Sequence, residues 1–234
     1  MRRRLALVGA CLLVAGCGGE QHKPQPRPAF ELPPLAEMAV YVGPGRHLEL
    51  RSSPGGPIIG RIGSRTEFGS QQVLDPVTHE GEWLAVRHPS LGNDRTAWID
   101  ARRAPIYFQP RPVRLEVDIS RRLLLVRDKT GVERRISVAI GAPDTPTPAG
   151  DFYVTDKLPG ERFGSYYGCC ILALSGRQPN LPRGWSGGDR LAIHGSPTPT
   201  EGKAVSNGCL HAHERDLRYL MRVVPLGAAV HIHA

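Results

Sequence analysis

Beyond residue 37 the apolar residues of this chain come in short runs that stop at glycine or proline, and a single stretch, His213 to Val224, keeps them in helical register. There Leu217, Leu220, Met221 and Val224 fall at i, i+3, i+4 and i+7, one apolar helix face, which Pro225 and Gly227 bring to a stop. With 27 Gly and 22 Pro in 234 residues, coiled coils and multi-pass membrane bundles are excluded and a mainly all-β chain is expected. Between Met38 and Pro105 the β-prone runs are Ala39-Val42, Leu48-Leu50, Ile58-Ile62, Phe68-Leu74, Trp83-Val86 and Trp98-Ile99. Strands this short, at this spacing, predict a small barrel or sandwich over 38–105. From 110 to 234 the runs lengthen (Val113-Val117, Leu123-Val126, Glu133-Ile140, Asp151-Thr155, Ile171-Leu174, Arg190-His194, Ala228-Ile232), which predicts a second β unit carrying the one helix.

The N-terminus sets the compartment. Met1-Arg2-Arg3-Arg4 precedes Leu5 to Val14, an apolar stretch too short to span a bilayer but suited to a signal segment. Its end, Leu13-Val14-Ala15-Gly16-Cys17, resembles a bacterial lipobox, with an ordinary signal cut near Ala15 as the alternative. The resemblance implies removal of 1–16, acylation of Cys17 and a membrane-anchored protein in the cell envelope, outside the cytoplasmic membrane. Residues 17–37, rich in Pro, read as an extended tether. The net charge of +8 loses three arginines with the signal, and the remaining +5 matches the excess of 17 basic over 12 acidic residues in 110–234. No basic run is interleaved with aromatics, so nucleic acid is excluded as a partner.

A candidate for chemistry lies late in the chain. Cys209 follows a flexible glycine, and His194 ends an alternating strand fifteen residues upstream. A thiol is a useful nucleophile near neutral pH only when a base or a positive dipole favours its thiolate, and His194 is a plausible base. Gly208 lets the backbone approach closely and aim N–H groups at a developing oxyanion. A Cys and an upstream His are by themselves weak signals.

The ordered segments "TPTPAGDFYV" (145–154), "YYGCCILALSG" (166–176), "LAIHGSP" (191–197) and "SNGCLHA" (206–212) resemble the L,D-transpeptidase (YkuD-type) family over roughly residues 110–234. "LELRSSPGG" and "GEWLAVRH…TAWID" resemble a bacterial Src-homology-three-like domain over 38–105. The first resemblance implies a β-sandwich catalytic domain acting on peptidoglycan stem peptides, with no metal and no organic cofactor. Cys209 would attack the amide before the terminal D-Ala, His194 would take and return the proton, and the Gly195 carbonyl would orient the imidazole. The N–H groups of Asn207, Gly208 and Cys209 would hold the oxyanion, with Ser206 shaping the loop. The acyl-enzyme would pass to an amine of a second stem or to water.

His211 departs from the family pattern, since many relatives carry Arg there, and an Arg grips a carboxylate where a neutral His does not. Two other readings compete: a wall-binding lipoprotein without activity, and a metal site built from Cys209, His211, His213, His231 and His233. Cys169 and Cys170 read as two half-buried free thiols, with a vicinal disulfide as the alternative. The oligomeric state is not legible.

Overall fold

The structure, a computed structural model, describes residues 31–45 and 47–234. The expected signal segment, the acylation site Cys17 and the tether as far as residue 30 lie outside the described residues. The tether's last residues are not extended: Leu35–Glu37 forms a 3-10 turn, and Leu32 and Leu35 pack on the first core.

That core belongs to a seven-stranded sheet of β1 (Met38–Val42), β2 (Leu48–Arg51), β3 (Ile58–Ile62), β4 (Val73–Glu80), β5 (Trp83–Arg87), β6 (Thr96–Asp100) and β7 (Ile106–Pro110), in the order β3-β2-β6-β5-β4-β1-β7. Alternation along the strands sends Val40, Leu50, Leu84, Val86 and Ile99 inward, all fully buried. Two features depart from the sequence expectation. Ile106–Pro110, which spans the gap between the two expected units and the first residue of the second, pairs antiparallel with β1 and completes the sheet. Phe68-Leu74 is not one strand, because Thr66 folds Phe68–Ser70 into a turn: its Oγ1 accepts from the N–H groups of Phe68 and Ser70, and Gly69 takes φ +89°. The strand starts only at Val73.

The second unit has an eight-stranded sheet, built from β8 (Val113–Asp118), β9 (Leu123–Asp128), β10 (Gly131–Ser137), β12 (Gly150–Pro159), β13 (Cys170–Arg177), β14 (Arg190–His194), β16 (Leu210–His211) and β17 (Ala229–His233), and a small parallel pair, β11 (Ile140–Gly141) with β15 (Ala204–Ser206). The large sheet runs β10-β9-β8-β17-β12-β13-β14-β16, so the last strand lies inside it, parallel to β8 and antiparallel to β12. Helix α1 (Glu214–Val223) starts one residue after the predicted position because His213 is its N-cap, its Nδ1 accepting the Arg215 N–H at 3.1 Å. Leu217, Leu220 and Val224 are fully buried in the core of this unit.

The two units touch through specific groups. The Tyr41 hydroxyl donates to Leu226 O at 2.7 Å, Asn93 and Arg177 exchange two hydrogen bonds of 2.8 Å, and the hydroxyl of fully buried Tyr153 donates to Arg87 O. Asp75, also buried, takes both Arg87 and Arg111. Among the described residues no helix is long and apolar enough to cross a membrane.

Candidate active site

Strand β14 carries one wall. Its alternation puts Leu191 and Ile193 into the core and leaves Ala192 and His194 facing a pocket. Strand β16 runs parallel beside it, with His211 opposite His194 in the register, so the two rings meet at 4.6 Å between centroids. Leu210 goes inward, and its neighbours Cys209 and His211 line the same pocket with Tyr166, Tyr167, Gln178, Trp185 and Asn207.

His194 is almost wholly buried. Its Nδ1 lies 2.6 Å from the Gly195 carbonyl. A carbonyl only accepts, so Nδ1 carries the proton and Nε2 is the free base. Burial, with His211 alongside, pushes this imidazole down to about 3, against the opposing pull of the Gly195 hydrogen bond. The next residue is held tightly: Gly195 N–H donates to Tyr167 O at 2.9 Å, and a Cβ on Gly195 would come within 2.9 Å of Gly168 Cα.

The Cys209 thiol points to the Arg190 carbonyl, 3.8 Å away, and packs beside Leu158, Ile171 and Ala192. Burial pushes it up to about 11, opposed by the backbone N–H of Ala192. The net direction is upward. Burial thus favours the uncharged form of both groups, thiol and imidazole.

The loop before Cys209 is braced from both sides. Ser206 Oγ donates to Cys209 O at 2.6 Å and accepts the Gly208 N–H at 3.1 Å. Of the three N–H groups expected to hold an oxyanion, that of Gly208 is engaged by the Ser206 hydroxyl. Thr145 Oγ1 donates to Ser206 O and Thr147 Oγ1 to Gly208 O, each at 2.9 Å, so the two buried threonines of the "TPTP" segment are a scaffold for this loop. Gly208 sits at φ +110°, where a Cβ would fall 2.1 Å from Gln178 Nε2. Gln178 was not singled out from the sequence, yet its amide donates to the carbonyls of Thr145, Pro146 and Asn207. Nothing in the local sequence around Gln178 marks it; only the sheet brings β13's end to this loop.

The other residues weighed from the sequence are scattered. His211 Nδ1 lies 3.2 Å from Thr200 Oγ1, and burial lowers its pKa. His213 is spent on the helix cap, while His231 pairs with Asp151 and His233 with Glu116. Among the described residues no group of three or more His, Cys, Asp or Glu is arranged to hold a metal ion. Cys169 and Cys170 are joined as a vicinal disulfide, not two free thiols. Cys209 is the free cysteine of the described residues.

Comparison with known proteins adds the family. A model of the YkuD L,D-transpeptidase catalytic domain matches residues 112–232. Curated relatives named as L,D-transpeptidase YkuD from Bacillus licheniformis and Bacillus subtilis are each 32% identical, over 124 and 125 residues, which is 52% of this chain. The matched region spans 66% of the length of these relatives. The catalytic domain of an E. faecium L,D-transpeptidase acylated by ertapenem aligns with 53% of this chain and 99% of its own, at 22% identity and a TM-score of 0.37. With the family model covering more than half of its length, the chain belongs to the YkuD family of L,D-transpeptidase catalytic domains.

Proposed function

We propose that this protein is a peptidoglycan L,D-transpeptidase with Cys209 as nucleophile. The observation that carries the reading is His194: a buried, neutral imidazole whose Nδ1–H is spent on Gly195 O, so that the unprotonated Nε2 is the group available in the pocket that Cys209 lines. In the first half-reaction Nε2 takes the thiol proton as Sγ attacks the carbonyl of the third stem residue. The negative oxygen is met by the N–H groups of Asn207 and Cys209. Collapse expels the amine of D-Ala, which leaves with the proton from His194, and a thioester remains on Cys209. An amine of a neighbouring stem then attacks the thioester while His194 takes its proton and returns it to the sulfur, giving a crosslink; water in its place gives trimming. The Gly195 carbonyl plays the part that a carboxylate plays in a Ser-His-Asp triad.

The chain is tethered to the envelope through acylated Cys17, and the unit before residue 110 is a Src-homology-three-like barrel that holds the enzyme at the wall. The test is incubation with a carbapenem and with purified tetrapeptide muropeptides, read by mass spectrometry beside Cys209→Ala. A covalent adduct and loss of D-Ala, both absent in the variant, are expected. A folded protein that takes no adduct and leaves the muropeptides unchanged would instead indicate a wall-binding protein without activity.

A further inference from the structure

The Thr66–Phe68 turn, which replaces an expected strand start in the N-terminal unit, reaches the back of the pocket at three successive residues. Thr66 Oγ1 donates to Asp156 Oδ1 at 2.5 Å. Asp156 is fully buried and its other oxygen has no partner, so Thr66 supplies the hydrogen bond that this carboxylate has. Glu67 pairs with the guanidinium of Arg190, which also donates to Thr155 Oγ1 and to Leu174 O. The carbonyl of that same Arg190 accepts the Cys209 thiol. Phe68 packs in the small cluster of Leu158, Ile171 and Ala192 against which Cys209 and Tyr167 also rest. From Phe68 a run of edge-to-face rings leads to the proposed base: Phe68 to Phe163 at 5.9 Å, Phe163 to Tyr167 at 6.4 Å, and Tyr167 to His194 at 4.9 Å.

We propose that Glu67 and Phe68 are positioning residues of the reaction, supplied by the N-terminal unit to the catalytic unit. They act through two residues that touch the reacting groups: Glu67 fixes Arg190, whose carbonyl aims the thiol, and Phe68 backs Tyr167 and the Cys209 side chain. The inference rests on the functional reading given above. Its physical basis is that a thiol held by a single long hydrogen bond and a buried ring held by one carbonyl keep their places in the shared pocket only if the walls behind them are fixed. A displacement of about 1 Å costs on the order of a hundredfold in rate. The N-terminal unit is thus part of the catalytic apparatus rather than a spacer.

The experiment uses the full chain and a carbapenem, with acylation followed by intact mass over a range of concentrations. Compared are the parent, Phe68→Ala, Phe68→Leu and Glu67→Gln. For Phe68→Ala the saturating first-order acylation rate is expected to fall roughly ten- to a hundredfold, with the half-saturating concentration little changed. Phe68→Leu, which keeps most of the apolar volume, recovers most of the rate. Glu67→Gln, on an exposed side chain, lowers the same rate by a few-fold while the protein stays folded. Loss of folded protein alone would reduce the labelled fraction and leave the rate of the remainder unchanged, so rate and amplitude separate positioning from stability. A parental rate in Glu67→Gln, together with a Phe68→Ala that either labels at the parental rate or loses only amplitude, overturns the proposal. A parent that takes no adduct, or a Cys209→Ala that takes the same adduct, sinks the functional reading itself and the positioning role with it.

Discussion

Lowering the pH from 7 to 5 should cost this protein about 2 kcal/mol of stability through His194 alone. The folded imidazole titrates at about 3, and the unfolded one near its ordinary 6.5. As the pH falls through 6.5 the unfolded chain takes up a proton that the folded chain refuses, so the folded state loses ground, and the loss is complete only below about 3. Each pH unit between the two values is worth about 1.4 kcal/mol, which sets a ceiling of roughly 5 kcal/mol. By pH 5, allowing for partial protonation of the unfolded ring near 6.5, about 2 kcal/mol of this is spent. The assay is urea unfolding at pH 7 and pH 5 for the parent and for His194→Asn. His88, which burial lowers to about 4, and the surface carboxylates contribute to both proteins and cancel in the comparison. The parent should lose about 2 kcal/mol more than the variant between the two pH values. Equal losses in the two proteins would refute the buried neutral imidazole, and with it the assignment of a free Nε2 base.

The thiol gives a complementary prediction: alkylation of native Cys209 by iodoacetamide should stay slow at pH 7 and climb towards pH 11, and a native midpoint at or below the ordinary thiol range would indicate a thiolate–imidazolium pair instead. Gly208→Ala should destabilise the fold by about 2–5 kcal/mol, combining left-handed strain with displacement of the buried Gln178 amide, and should abolish carbapenem labelling; a melting curve and intact mass check both. Thr147→Val keeps the side-chain shape but removes the hydroxyl shared by the Gly141 N–H and the Gly208 carbonyl, so a loss of about 1–3 kcal/mol and slower acylation are expected. Peptide mapping after alkylation in denaturant without reductant should find Cys209 labelled and Cys169 and Cys170 unlabelled until reductant is added.

The helix at 214–223 and strand β14 were legible because each announces itself locally, the first by a 3.6-residue period and the second by a short apolar run between Arg190 and His194. Cys209 and His194 were legible as motif residues, and β14 and β16 then bring them to one pocket through a parallel pairing that no local pattern reveals. Phe68 was misread as the start of a strand: its apolar neighbours continue to Leu74, but the Thr66 hydroxyl bonds that fold the turn are satisfied only together with Asp156, ninety residues on. Gln178 was missed for the same reason, since its three carbonyl partners come from two other loops. The disulfide was open from the sequence, because adjacency alone does not decide whether two thiols are turned towards each other.

The position of β17 has a consequence for the order of events in the life of the chain. Because residues 229–233 enter between β8 and β12, the sheet that carries the pocket stays in two halves until they have been synthesised. One half, β12-β13-β14-β16, already pairs the strand of His194 with the strand that follows Cys209, while the other, β10-β9-β8, is joined to it only through β17. What residues 229–233 add is the join: Val230 and Ile232 enter the common core, and the two halves of the sheet become one wall behind the pocket only when that strand is in place.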